Sequence, residues 1–311
     1  MKHLKNTLIV ILFLLFESNF IFAQNQIIGQ IINEKDKTPI YYANIWILGT
    51  NYGTSSLENG NFSLMIDSIN PNIILKISSI GYYDTSIQFK NFTKKIQLKP
   101  KAYEISEIKV FPKKSKEYII NDLNNTKINA AIMQGTTPRI FGLFLPYKSD
   151  YNEYQFVKKI LIYTRDRNRS KFNLRIYSFD TITKKPIKEL ITENILVKTK
   201  LSILGKPKFV EINLSKYYLK IPKNGLLIGV EWLVIPENRY KVDYHEDNSS
   251  EKKSTKFYYG PELAATLATD GSAWEYDKGI WLKSNKHGVL MKESKVEMYY
   301  FNPAISVVLT N

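Results

Sequence analysis

Residues 29 to 82 contain Gly29-Gln-Ile31, Thr38-Pro-Ile40, Ala43-Asn-Ile45, Gly49-Thr-Asn-Tyr-Gly53-Thr54, Glu58-Asn-Gly60-Asn-Phe62-Ser-Leu64 and Ile77-Ser-Ser-Ile80-Gly-Tyr82. Short alternating runs sit between Gly and Asn turns at nearly even spacing. Alternation with period two puts successive side chains on opposite faces, so these runs read as half-buried strands. Ala43, Ile45 and Ile47 share one face, as do Ile73, Leu75 and Ile77, while Phe62 and Met65 with their neighbours alternate less cleanly. Ile27 to Ile32 precedes them, and Ser86 to Phe89 and Lys95 to Leu98 complete the set. Asn59-Gly60 is the strongest hairpin signal of the chain, because a tight turn needs positive φ and Gly adopts it at little cost. Many short strands without a helical period imply an antiparallel sandwich.

Taken together, these turn and core residues resemble the carboxypeptidase regulatory-like domain. The resemblance covers about residues 26 to 111 and includes Glu104-Ile-Ser-Glu-Ile-Lys-Val110. It implies a transthyretin-like, seven-stranded sandwich of the kind found on exported and outer-membrane bacterial proteins. It implies no active site, so Trp46, Tyr82 and Tyr83 are expected to pack rather than to bind. Ser56-Leu57 stands where the family usually has Thr-Asp, which weakens any cation-binding role for that turn.

The chain opens like a secretory signal over residues 1 to 23. Lys2 and Lys5 supply the positive start, Leu8 to Phe16 the apolar core, and Ile21-Phe-Ala23 the cleavage site before Gln24. The apolar run is about half of the roughly 20 residues that a spanning helix needs. No Cys stands at the cleavage site to carry a lipoprotein anchor, and the chain has no Cys at all. Absent disulfides fit a bacterial export route and leave core burial to stabilise the fold. The expectation is an exported protein of a Gram-negative bacterium, in the periplasm, at the outer membrane or outside the cell, with no transmembrane segment in the mature chain. The formal charge is +15, mostly from scattered Lys. An acidic glycan or another envelope component is a fitting partner, and export disfavours nucleic acid. Only Arg165-Asp-Arg167-Asn-Arg169-Ser-Lys171 is a local basic cluster.

Four segments follow from composition: the signal at 1–23, the first sandwich at 24–111, a linker at 112–136 and a second sandwich at 137–311. The linker is Lys- and Asn-rich, with Ile119, Ile120, Leu123, Ile128 and Ile132 as a weak helical stripe. Beyond it Arg139 to Leu145, Phe156 to Thr164, Phe172 to Phe179, Lys208 to Leu214 and Ala304 to Leu309 read as strands. Gly229-Val-Glu-Trp232-Leu-Val-Ile235 is nearly continuous in apolar residues, which suggests a central strand buried on both faces. Lys171-Phe-Asn-Leu-Arg-Ile-Tyr177, Val210-Glu-Ile-Asn-Leu214 and Gly229-Val-Glu-Trp232 resemble a jelly-roll module of exported bacterial proteins. That resemblance implies a larger, jelly-roll-like β-sandwich, so the whole chain is expected to be all-β. It does not decide function, although several relatives of this shape bind carbohydrate.

The residue types for several chemistries are missing. His3 belongs to the signal, and His245 and His287 lack the paired spacing of a zinc site. There is no G-x-S-x-G elbow and no Cys nucleophile. No cofactor is expected. Asp243, Glu246 and Asp247 are weak Ca²⁺ candidates within a polar loop. The best ligand candidates are Tyr258, Tyr259, Trp274, Tyr276 and Trp281, aromatic residues among Gly and Pro whose faces can stack on sugar rings. Arg165, Arg167 and Arg169 would read an acidic group if the fold brought them near. The leading expectation is a non-catalytic binding or adaptor protein. A carbohydrate-binding protein comes second, and a hydrolase with carboxylates on the second sandwich third.

Overall fold

The computed structural model describes residues 25–102, 116–123, 127–245, 253–290 and 295–311. The signal segment, its cleavage site, the Glu104 to Val110 strand and the Ca²⁺ candidates Glu246 and Asp247 lie outside these residues.

The fold is all-β. Among the described residues, the first sandwich holds seven strands in two sheets. β1 (Asn25–Asn33), β4 (Asn61–Ile66) and β7 (Lys95–Leu98) form the order β4-β1-β7. β2 (Asn44–Ile47), β3 (Gly53–Ser55), β5 (Ile74–Ser78) and β6 (Thr85–Gln88) form the order β3-β2-β5-β6. Between the sheets lies a core that includes Ile27, Ile31, Ile45, Leu64, Leu75 and Leu98. β4 turns Phe62, Leu64 and Ile66 inward and leaves Met65 exposed, so the inward set is shifted from the sequence reading. Gly60 has φ +75°, as its turn requires. Its turn is not a hairpin, however: β3 and β4 belong to different sheets, and the chain crosses between them there.

The second sandwich is larger. One sheet holds β10 (Arg139–Leu145), β12 (Lys171–Asp180), β13 (Lys185–Glu189), β14 (Ile195–Lys198), β16 (Leu226–Trp232), β19 (Ala273–Asp277) and β20 (Ile280–Lys283). The other holds β8 (Glu117–Ile120), β9 (Ala130–Gln134), β11 (Phe156–Thr164), β15 (Lys208–Asn213), β17 (Arg239–His245), β18 (Lys253–Ala268), β21 (His287–Leu290), β22 (Val296–Pro303) and β23 (Ile305–Thr310). β16 lies between β12 and β10 and is buried along its whole length, as its apolar run implied. Trp232 is fully buried and donates from Nε1 to the Pro261 carbonyl at 2.8 Å.

The stretch expected as a linker at 112–136 contains two strands among its described residues. β8 pairs with β23, with Ile120 opposite Val307, and β9 pairs with β18. The weak helical stripe is therefore partly strand, because β-branched Ile119 and Ile120 favour a pleated surface once a distant partner strand supplies it.

The two sandwiches meet across a tight polar seam. Ser55 N–H donates to the Val234 carbonyl at 3.1 Å, and Val234 N–H donates back to Ser55 Oγ at 3.0 Å. Thr137 Oγ1 donates to the Asn51 carbonyl at 2.8 Å. Tyr42 packs with Leu233 and Ile235, and its hydroxyl donates to Glu58 at 2.8 Å. Lys171 of the second sandwich reaches the same Glu58 carboxylate at 3.2 Å. A Cβ on Gly53 would sit 2.4 Å from Pro138 Cδ, so only Gly allows this approach.

Candidate ligand cleft between the sandwiches

Three neighbouring strands build the floor of the seam. β12 alternates Phe172, Leu174 and Ile176 into the core of the second sandwich, which directs Asn173, Arg175 and Tyr177 the other way. In a lone sandwich that outer face would be wet. Here it is buried: Asn173 is 0% exposed and Arg175 2%. Glu231 of β16 is directly opposite Asn173 in the register. It accepts from Asn173 Nδ2 at 3.0 Å, from the Arg175 guanidinium, and from Asn44 Nδ2 of the first sandwich at 2.7 Å. Both carboxylate oxygens are thus committed, and Asn44 ties the first sandwich into the network. Among the described residues, Arg175 Nη1 has no hydrogen-bond partner.

Beside this network opens a cleft of about 440 Å³. Ser79, Ile80, Asp84 and Lys101 of the first sandwich form one wall, and Tyr177, Glu189, Tyr276 and Trp281 of the second form the other. Trp281 meets Tyr177 edge-on at 5.1 Å and Tyr276 at a tilt at 5.3 Å. The Tyr177 hydroxyl donates to Glu189 at 3.3 Å. Burial, and then the Glu189 charge, pushes the Tyr177 hydroxyl far above the usual range. Burial, and then the Asp84 charge, raises Tyr276 as well. Both phenols therefore stay protonated and can donate. Burial also lifts the Glu189 carboxyl, against the opposing pull of Arg175 and Lys101. The cleft thus combines aromatic faces, hydroxyl donors and charges of both signs, which suits a polar ligand with a flat or ring-shaped face.

The five aromatic candidates separate. Tyr276 and Trp281 line the cleft. Trp274 is a packing residue: it is 8% exposed and meets Phe179 edge-on at 5.5 Å. It therefore presents no exposed ring face for stacking on a sugar. Tyr258 and Tyr259 lie on β18 in the other sheet, where Tyr258 stacks on Tyr240 at 6.0 Å. Asp243 is exposed and accepts from Thr255 at 2.6 Å. Arg165, Arg167 and Arg169 do not line the cleft. Of the expected packing residues, Trp46 is buried, Tyr82 packs against the first core, and Tyr83 is exposed.

Arg175, Glu231 and Glu189 were not among the candidates from sequence. A signal for one was present: Glu231 interrupts an otherwise apolar run, and a charge on a doubly buried strand needs a buried partner.

The fold and cleft define an all-β protein of two joined sandwiches. Residues 27–110 match the family model of the CarboxypepD_reg-like domain, and the first sandwich is a domain of that kind. No curated protein matches the chain. Among solved structures, a clostridial cysteine protease, Cwp84, after propeptide cleavage aligns with a TM-score of 0.33 and 10% identity, over 91% of this chain and 70% of that one. A structure of infectious bursal disease virus, Gx strain, aligns with a TM-score of 0.20 and 8% identity, over 86% of this chain and 63% of that one. Neither similarity is close enough to carry a conclusion about fold or activity.

Proposed function

We propose that this chain is an exported, non-catalytic binding or adaptor protein of the bacterial envelope that takes its ligand in the cleft between its sandwiches. The observation that carries the reading is the cleft itself, with donors and aromatic faces contributed from both sides of the seam. The CarboxypepD_reg-like domain and the signal-like start support export. Among the described residues, no helix is long and apolar enough to cross a membrane. Trp281 and Tyr276 favour a glycan as ligand, since ring faces stack on sugars and phenolic hydroxyls orient them.

The hydrolase alternative draws on one observation: Glu189 and Glu231 line the same cleft. Paired carboxylates can cleave glycosides. Glu231 is held by three donors, however, which suits a structural carboxylate better than a base or nucleophile.

Glycan-array binding by the chain from Gln24 to Asn311 tests the proposal. Changing Trp281 and Tyr276 together to Ala should abolish the signal while circular dichroism is unchanged. Retained binding would place the ligand elsewhere. Release of reducing ends from a bound polysaccharide, lost in Glu189→Gln, would replace the binding reading with the hydrolase.

A further inference from the structure

The arginine cluster that the cleft does not use lies at one end of the second sandwich. Two loops meet there: residues 165–170, between β11 and β12, and residues 199–207, between β14 and β15. Asp166, 1% exposed, fastens them together. Its carboxylate accepts from Ser170 N–H, Ser170 Oγ and Thr199 Oγ1, and its carbonyl accepts from Ser202 N–H. Thr199 N–H in turn donates to the Ser170 carbonyl at 2.9 Å.

The second loop presents its aliphatic side chains to solvent. Leu204 is 90% exposed, Ile203 64% and Leu201 41%. Leu204 also has φ +53°, a conformation that a Leu rarely takes, and it is followed by Gly205 at φ +67°. Exposed cations surround these side chains. Lys198, Lys200, Lys206 and Lys208 flank them along the loop, and Arg169 stands on the neighbouring loop, where Arg167 is instead paired with Glu262 of β18 at 3.5 Å. The only acidic residue of the two loops is Asp166, which is buried and engaged. Leu201 and Ile203 also line an open groove together with Tyr163, Pro207 and Phe209.

We propose that this end of the molecule docks on the anionic surface of a lipid bilayer. Leu201, Ile203 and Leu204 enter the interfacial layer, and the surrounding Lys and Arg side chains engage lipid phosphates. Charge complementarity identifies the occupant: a tip of three aliphatic side chains ringed by cations, with no exposed carboxylate in either loop, matches the two attractions of a peripheral membrane anchor. Asp166 keeps the two loops in register, so both attractions act at one place. The cleft and this tip are separate surfaces, and the membrane contact holds or fails independently of the ligand proposed above.

Vesicle co-sedimentation of the chain from Gln24 to Asn311 tests it. The protein should pellet with vesicles rich in phosphatidylglycerol and much less with pure phosphatidylcholine, and added salt should release it. Changing Ile203 and Leu204 together to Asp should weaken partition by on the order of tenfold or more. Both side chains are exposed and Asp tolerates positive φ, so the thermal melt should not change. Changing Arg169, Lys198 and Lys200 together to Gln should remove the preference for phosphatidylglycerol. Failure to pellet with anionic vesicles would overturn the proposal. So would unchanged partition of the Asp variant, because charge alone would then explain the binding. Capture by a soluble polyanion that equals vesicle binding and ignores the Asp changes would assign the surface to a polysaccharide instead.

Discussion

Glu231 takes hydrogen bonds from Asn44 of the first sandwich and from Asn173 and Arg175 of the second. A buried charge is stable only while its partners satisfy it, and the cost of removing one partner falls on the charge left behind. Glu231→Gln keeps the shape but removes the carboxylate that pairs directly with the Arg175 guanidinium, leaving only the more distant Glu189 charge. Chemical denaturation should show a loss of about 3 kcal/mol. A change below about 1 kcal/mol would mean that water or another group already screens Arg175. Gly60 makes a second residue-scale test. Its φ is +75°, and an added Cβ would lie 2.5 Å from the Ile31 carbonyl oxygen. Gly60→Val should cost about 2 kcal/mol, read as a lowered melting temperature. An unchanged melt would show that the backbone can relax around the new side chain. The need for Gly at this turn was legible in Asn59-Gly60. The destination of the chain after the turn was not, because a dipeptide sets local dihedrals and does not select the partner strand.

At the scale of elements, periodicity found most strands and mistook some of their faces. Ala43, Ile45 and Ile47 form the inner face of the first sandwich, yet all of β2 is buried. Its outer face carries Asn44 into the seam, and no local pattern can report a surface covered by residues almost two hundred positions later. β8 shows the same limit. Its Ile119 and Ile120 read as part of a weak helical stripe, and only pairing with the distant β23 makes them strand. The hairpin of β19 and β20 divides the aromatic candidates by depth. Trp274 is enclosed by Phe179 and its neighbours, whereas Trp281 lines the cleft. Trp274→Ala should therefore destabilise the fold by about 3 kcal/mol or more. Trp281→Ala should leave far-ultraviolet circular dichroism unchanged and lower the melting temperature much less. Equal losses in both variants would make Trp281 a packing residue and remove it from the ligand wall.

At the scale of the whole molecule, two sandwiches lie back to back. The outer face of the β3-β2-β5-β6 sheet covers the outer face of the sheet centred on β12, β16 and β10. That arrangement explains why only two residues of the cleft lining, Tyr276 and Trp281, were candidates from the sequence. Tyr276 and Trp281 stood out as aromatics among turn residues. Arg175, Glu189 and Ser79 did not, because each reads alone as an ordinary strand or turn residue and gains its role only when the seam closes. The central claim is that a ligand is held by both sandwiches at once. Hydrogen–deuterium exchange with and without the strongest array glycan tests this most directly. The expected result is slowed exchange at amides 78–80 on one wall and 276–281 on the other, in the same titration. Protection confined to one sandwich, or appearing only around Tyr258 and Tyr259, would contradict a ligand site at the seam.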